Sequence, residues 1–171
     1  MQKIIKITIL FIFIFIIGIF YISLKRDTNY NTSSLINKET PQFKIISFDE
    51  SSLYTRDDIK KNNFTLINFW ASWCAPCKIE HPILMKLSQT KDLMIIGVNF
   101  KDKKTQAKKF LNNLGDPYDL LAKDENGKQS VKFGIYGIPE SILINKDLMI
   151  IKKFVGPLSD DDYHNIIKII E

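Results

Sequence analysis

Sulfur and imidazole are scarce in this chain: its 171 residues include two cysteines and two histidines. Structural zinc asks for four Cys/His ligands, and beyond Cys74, Cys77 and His81 only His164, close to the far end of the chain, is left to complete a set. A cationic surplus is missing from most of the chain as well. The net charge is +5, yet no acid precedes Asp27, and from that residue onward 20 basic side chains face 19 acidic ones. A nucleic-acid-binding domain carries its basic patch on the fold itself, so this balance argues against one. No paired-carboxylate site, phosphate-cradling glycine loop, serine triad or internal repeat suggests a second activity.

What is rare is also concentrated. Phe69-Trp70-Ala71-Ser72-Trp73-Cys74-Ala75-Pro76-Cys77 contains both cysteines and both tryptophans. Residues 64–70 form a continuous apolar run of β-forming residues, and from Lys78 onward apolar positions recur at helical spacing, so the pair sits at a strand-to-helix junction. Unpaired N–H groups and the positive end of the dipole favour an anionic sulfur there, which predicts a lowered pKa for the first cysteine. Two buried structural cysteines would not need this junction, and a purely structural disulfide gains little by closing so short a loop. Cys-x-x-Cys is also half of many metal sites, and His81 could share the helical face of Cys77. On spacing alone a metal-binding reading stays open beside the redox one.

The N-terminus reads separately. Lys3 and Lys6 precede Ile7–Leu24, 18 residues without a charge and dominated by Ile and Phe; about 20 such residues span a bilayer as a helix. A cleaved signal peptide usually has an apolar core of about 7–15 residues ending at small residues, and Tyr21-Ile22-Ser23-Leu24-Lys25-Arg26 offers no such site. Residues 1–26 are therefore expected to be an uncleaved anchor. Its flanking charges are nearly balanced, and N-terminus inside is the expected orientation because it exports the domain. Residues 27–40, rich in Asn, Thr and Ser, read as a linker. Residues 41–171 suffice for one domain.

Within that domain, Phe43–Phe48, residues 64–70, Leu93–Asn99, Ser141–Asn145 and Met149–Val155 are expected strands, the last two an antiparallel pair turning at Lys146-Asp147. Ile79, Ile83, Leu84 and Leu87 mark one helix face between Lys78 and Thr90, which Pro82 should kink or shorten. Ala107, Phe110, Leu111 and Leu114 mark a second helix, stopped by Gly115 and Pro117. Ser159 caps a third, with Asp160–Asp162 in its positive first turn and Tyr163, Ile166, Ile167 and Ile170 facing the core. This order implies an α/β fold: a mixed central sheet with helices on both faces.

Four motifs, in order between Trp70 and Glu140, then carry a family resemblance: Trp70-Ala71-Ser72-Trp73-Cys74-x-x-Cys77-x-x-Glu80-His81-Pro82, Gly97-Val98-Asn99-Phe100-Lys101-Asp102, Gly115-x-Pro117-Tyr118, and Gly134-Ile135-Tyr136-Gly137-Ile138-Pro139-Glu140. The chain resembles the thioredoxin-like superfamily and, more narrowly, the membrane-anchored thiol:disulfide interchange proteins of cytochrome c biogenesis, the CcmG/DsbE family. Two departures stand out. Thioredoxins proper usually place a buried Asp where this chain has Asn68, so a proton acceptor must come from elsewhere, and Ser141 stands where the family commonly has Thr.

The resemblance implies a reducing thiol-disulfide oxidoreductase on the periplasmic side of the cytoplasmic membrane, anchored by a single N-terminal helix. Cys74 would be the exposed nucleophile and Cys77 the resolving thiol, with the Cys74–Cys77 disulfide as the redox centre and no separate cofactor or metal. The substrate would be the disulfide of apocytochrome c or of a thiol chaperone that delivers it, and a transmembrane thiol reductase would supply electrons. Ile138-Pro139 is implied to be cis and pressed against the Cys pair. Ala75 and Pro76 between the cysteines, and Glu140 after the proline, complete the implied site. Trp73 is expected to cover Cys74 and Trp70 to pack beneath it. Glu80, three residues past Cys77, should share its helix face and oppose thiolate formation, making the dithiol a better reductant. His81 is read as a helix residue and not a base, and Lys101–Lys104 as a solvated face. A general reductase or oxidant of exported proteins, and a redox-inert metal-binding module, are the competing readings.

Overall fold

The structure, a computed structural model, describes residues 2–24 and 35–171. Gln2–Leu24 forms one helix, α1, whose stretch Ile4–Leu24 is long and apolar enough to cross a bilayer and is nowhere buried. The chain divides into two compact units, α1 in the first and every element named below in the second. Lys25-Arg26 and residues 27–34 of the expected linker lie outside the described residues. The linker's last residues are held: Asn37 and Thr40 donate backbone N–H groups to Ile150 and Leu148, and Lys38 accepts from Ile150.

Seven strands make one sheet: β1 Ile45–Ser47, β2 Leu53–Tyr54, β3 Phe64–Trp70, β4 Leu93–Phe100, β5 Leu120–Asp124, β6 Glu140–Asn145 and β7 Ile150–Val155, in the order β2-β1-β5-β4-β3-β6-β7. The three central strands β5, β4 and β3 are parallel, and β6, β7, β1 and β2 join antiparallel. This is the expected mixed sheet. β3 and β4 are covered on both sides, which explains why they read as unbroken apolar runs and not as alternating ones.

Alternate residues of β3 serve different layers. Ile67 and Phe69 enter a core shared with Phe43, Ile59 and Phe133, whereas Leu66 packs with Ile83, Leu84, Leu87 and Ile166. The second face is built by α3 (Ala75–Leu87) and α6 (Asp160–Ile170), and α4 (Lys104–Leu114) closes over Trp70 and the cysteines. Ile59, from the short helix α2 (Arg56–Ile59), packs on the first face, so helices lie on both faces, and each fully buried Leu or Phe contributes about 1.5–3 kcal/mol. α6 starts as expected at Ser159, whose hydroxyl accepts from Asp162 N while the Asp162 carboxylate takes the Ser159 N–H, a capping box.

Three differences from the sequence reading have local causes. α3 begins at Ala75 rather than Lys78 and continues through Pro82. The carbonyl that loses its partner there belongs to Lys78, an exposed residue, so water can satisfy it. α2 (Arg56–Ile59), in a stretch for which the sequence analysis gives no element, is one turn opened by a Thr55/Asp58 capping box. α5 (Lys128–Lys132) was also unforeseen. Neither is long enough to show a helical period.

A candidate disulfide-exchange site

Cys74 and Cys77 are joined as a disulfide. Cys74 is the N-cap of α3, and its sulfur accepts the N–H of Cys77 at 3.1 Å. Ala75 and Pro76 occupy the first turn, where a proline's missing N–H removes no helix bond. The first sulfur therefore sits where the 13-residue helix presents unpaired N–H groups, the placement that favours a thiolate once the disulfide is opened. Its exposure differs from expectation. Cys74 is 5% exposed and Cys77 2%, packed in one cluster with Trp70, Ala107 and Leu111. Trp70 lies beneath the site as expected, stacked on Tyr118 at 5.5 Å, while Trp73 stands 59% exposed next to Cys74.

Glu80 is not a solvated surface glutamate: it is fully buried. Its Oε1 accepts from Asn68 Nδ2 at 2.8 Å and its Oε2 from Leu158 N at 2.9 Å. Asn68 also donates to Ser141 Oγ at 3.0 Å and accepts the Tyr118 hydroxyl at 2.9 Å on Oδ1. Because Tyr118 donates to Oδ1, the amide orientation is fixed and Nδ2 must face Glu80. Gly97, paired with Asn68 across β3 and β4, makes room for this: a Cβ on it would stand 2.6 Å from the Tyr118 ring. Burial pushes the Glu80 carboxyl up to about 7, with the Leu158 and Asn68 donors pulling the other way. It also raises the Tyr118 hydroxyl well above its ordinary value, with the charge of Glu80 adding to the effect. Where thioredoxins have a carboxyl on the strand, this chain has Asn68 handing over to a carboxyl on α3. A carboxyl raised to about 7 takes up its charge in the neutral range and not near pH 4.5, so the expected repulsion of a thiolate grows with pH instead of being constant.

The Ile138-Pro139 peptide is cis, and Ile138 packs against the cluster that holds both cysteines. Glu140 organises this loop from below. Its Oε1 accepts from Tyr136 N and Gly137 N at 3.1 and 3.0 Å, and its Oε2 pairs with Lys153 Nζ at 2.7 Å in a contact where both side chains are almost wholly buried. Lys153 also donates to Gly134 O at 2.6 Å. Sequence reasoning placed Glu140 at the site but missed Lys153.

A second omission is Asp102, expected on a solvated face. Its carboxylate takes Ser72 N at 2.6 Å and Ser72 Oγ at 2.8 Å, and accepts from Asn99 Nδ2 and Lys103 N. The preceding Lys101, at φ +44°, turns its carbonyl to the Trp73 indole N–H at 3.2 Å. The loop after β4 thus ties down the two residues before Cys74. His81 lies within α3, as expected: its Nε2 meets Gly115 O at 3.1 Å, and burial lowers its pKa. That bond turns the ring's Nε2 toward α4's end. Among the described residues no three of His, Cys, Asp and Glu gather as a metal site would require.

Comparison with known proteins agrees with this geometry. The family described as Redoxin matches residues 36–167. Thiol:disulfide interchange protein HelX of Rhodobacter capsulatus is 36% identical over 146 residues, covering 85% of this chain and 82% of that protein. The DsbE protein of Haemophilus influenzae is 32% identical over 164 residues, covering 93% and 90%. Among solved structures, the thioredoxin domain of a thiol-disulfide oxidoreductase of Bacteroides vulgatus superposes with a TM-score of 0.67 at 22% identity, over 80% of this chain and 98% of that one, a likeness of fold. With the cysteines at the start of α3 and the cis proline loop beside them, this chain belongs to the redoxin family and, within it, to the thiol:disulfide interchange proteins of the DsbE kind, which are thiol-disulfide oxidoreductases.

Proposed function

We propose that this protein is a reductant in cytochrome c maturation, held by α1 in the cytoplasmic membrane with its domain on the periplasmic side. Residues 1–26 act as the uncleaved anchor and 27–40 as the linker. Its substrate is the disulfide of apocytochrome c or of the thiol chaperone delivering it, and a transmembrane thiol reductase restores the dithiol. The Cys74 thiolate attacks one sulfur of the substrate disulfide, that S–S bond breaks, and the second substrate sulfur leaves and is protonated. Cys77 then gives up its proton and attacks Cys74 Sγ. The substrate's remaining sulfur departs as a thiol, and two electrons have passed from the dithiol to the substrate.

Glu80 is the group suited to hold the Cys77 proton, as a buried carboxyl on the same helix that ionises near neutrality. Glu140 keeps the Gly134–Pro139 loop in place beside the cysteines. The observation that carries the reading is the Cys74–Cys77 disulfide capping α3 with a buried, near-neutral carboxyl on the same helix. The test is direct. Cys74→Ser should abolish disulfide reduction, and Cys77→Ser should accumulate in cells as a mixed disulfide with its substrate; undiminished turnover in the first variant sinks the proposal. A reduction potential near that of a strong periplasmic oxidant, about −120 mV, would contradict the direction of transfer.

A further inference from the structure

Beside Cys74, between the start of α3 and the last turn of α4, is a cavity of about 320 Å³. Its sides are Trp73, Phe110 and Leu114, its polar edge Asn113 and Lys78, and Cys74 itself lines it. This volume stands at the lower end of ligand pockets, about 300 Å³, room for one large side chain but not for a folded segment. The walls are fixed before anything enters. Trp73 is tied to Lys101 O and its neighbour Ser72 to Asp102, while the Phe110 ring packs on Trp70 at 5.2 Å and edge-on to His81 at 5.1 Å. A site with preset walls loses little entropy when filled.

Charge at the cavity has one sign. Lys78 is its only charged lining residue among those described, is exposed, and forms no ion pair among the described residues. Lys109 lies one turn before Asn113 on α4 and so shares its stripe. We infer that this cavity is a side-chain subsite of the exchange centre: it receives a bulky apolar residue flanking the reactive cysteine of a polypeptide substrate, and Lys78 favours a carboxylate close by. The occupant follows from position. A substrate cysteine bonded to Cys74 carries its chain neighbours to this opening, which Cys74 itself lines, whereas a small disulfide would leave it empty. The inference rests on the exchange reading of Cys74 and deepens it by naming the residues beside the substrate cysteine that the site prefers.

The reduced full-length protein, in detergent, is mixed with short peptides whose single cysteine is a mixed disulfide with 2-nitro-5-thiobenzoate. Attack by Cys74 on the peptide sulfur releases the coloured thiolate, and Cys77 then releases the peptide thiol, two electrons passing from the dithiol to the probe. Peptides with Phe beside the cysteine should react about tenfold faster than those with Gly, the scale on which an apolar pocket discriminates. Asn113→Trp, which fills the cavity, should bring that ratio close to one. Lys78→Glu should invert the preference between peptides carrying Asp and Lys near the cysteine. Equal rates for Phe and Gly peptides with the native protein, a Phe preference that survives Asn113→Trp, or an acid preference untouched by Lys78→Glu each overturn the subsite. Failure of the exchange reading looks different: the Gly peptide then releases no thiolate, or Cys74→Ser releases it as fast as the native protein, and the subsite falls with it.

Discussion

Replacing Glu80 by Gln tests whether a buried carboxyl at this position is held at the expense of stability. The carboxyl is moved from 4.5 to about 7 by burial in the folded protein, and one pKa unit corresponds to about 1.4 kcal/mol between protonation states. Its folded pKa lies above its unfolded one. The stability it contributes is therefore fully present below about pH 4.5 and is lost as pH rises through about 7, a change of about 3 kcal/mol. Gln carries no charge at either end of this range, so its variant should not share the loss. It does carry a fixed cost. Asn68 Nδ2 and Leu158 N each donate to a different oxygen of Glu80, and a carboxamide has only one, so one N–H is left facing another donor at about 1–3 kcal/mol.

Subtracting the two, Glu80→Gln should destabilise the oxidised protein by about 1–3 kcal/mol at pH 4.5 and leave it as stable as the native chain, or up to about 2 kcal/mol more so, at pH 8. Urea unfolding of the full chain in detergent, read by the fluorescence of Trp70 and Trp73, measures both. Groups such as His81 titrate in native and variant alike and cancel in the difference. The fixed cost cancels too when the two pH values are compared, which leaves the burial effect alone. If the effect of the substitution differs by less than about 1 kcal/mol between pH 4.5 and pH 8, Glu80 ionises like an ordinary glutamate and the proton-holding role assigned to it has no physical basis.

Two further substitutions probe the site's supports. Asp102→Ala leaves Ser72 N and Oγ, Asn99 Nδ2 and Lys103 N without their acceptor; it should lower stability by about 1–3 kcal/mol and slow alkylation of Cys74 in the reduced protein, with Asp102→Asn recovering part of both. No change in either quantity would return Asp102 to a solvated face. Lys153→Met leaves the buried Glu140 carboxylate unpaired and should cost about 3–5 kcal/mol in urea unfolding, most of it regained in the double variant with Glu140→Gln; a double variant as unstable as the single one would mean that the ion pair is not what the loop depends on.

Legibility in the sequence followed the range of each interaction. The cysteines, β3, β4, the β6–β7 hairpin, α4 and α6 were readable because periodicity, turn residues and caps are written within a few positions of each other. Glu80 was readable in direction but not in depth: three residues past Cys77 fixes its face of α3, while its burial depends on Asn68, which is 12 positions away, and Leu158, which is 78. Asp102 was misread because the run around it is lysine-rich, and its work depends on the positive φ of Lys101 and on Ser72, which is 30 positions back. Lys153 hides beside Lys152 in β7, where strand alternation puts one lysine against the core and Glu140 across the β6 pairing neutralises it. In each case the charge alone suggests solvent. A buried charge declares itself only through the donor or counter-ion that the sheet brings to it, so the same topology that placed the cysteines at the head of α3 also decided which of this chain's many charged residues could stand behind them.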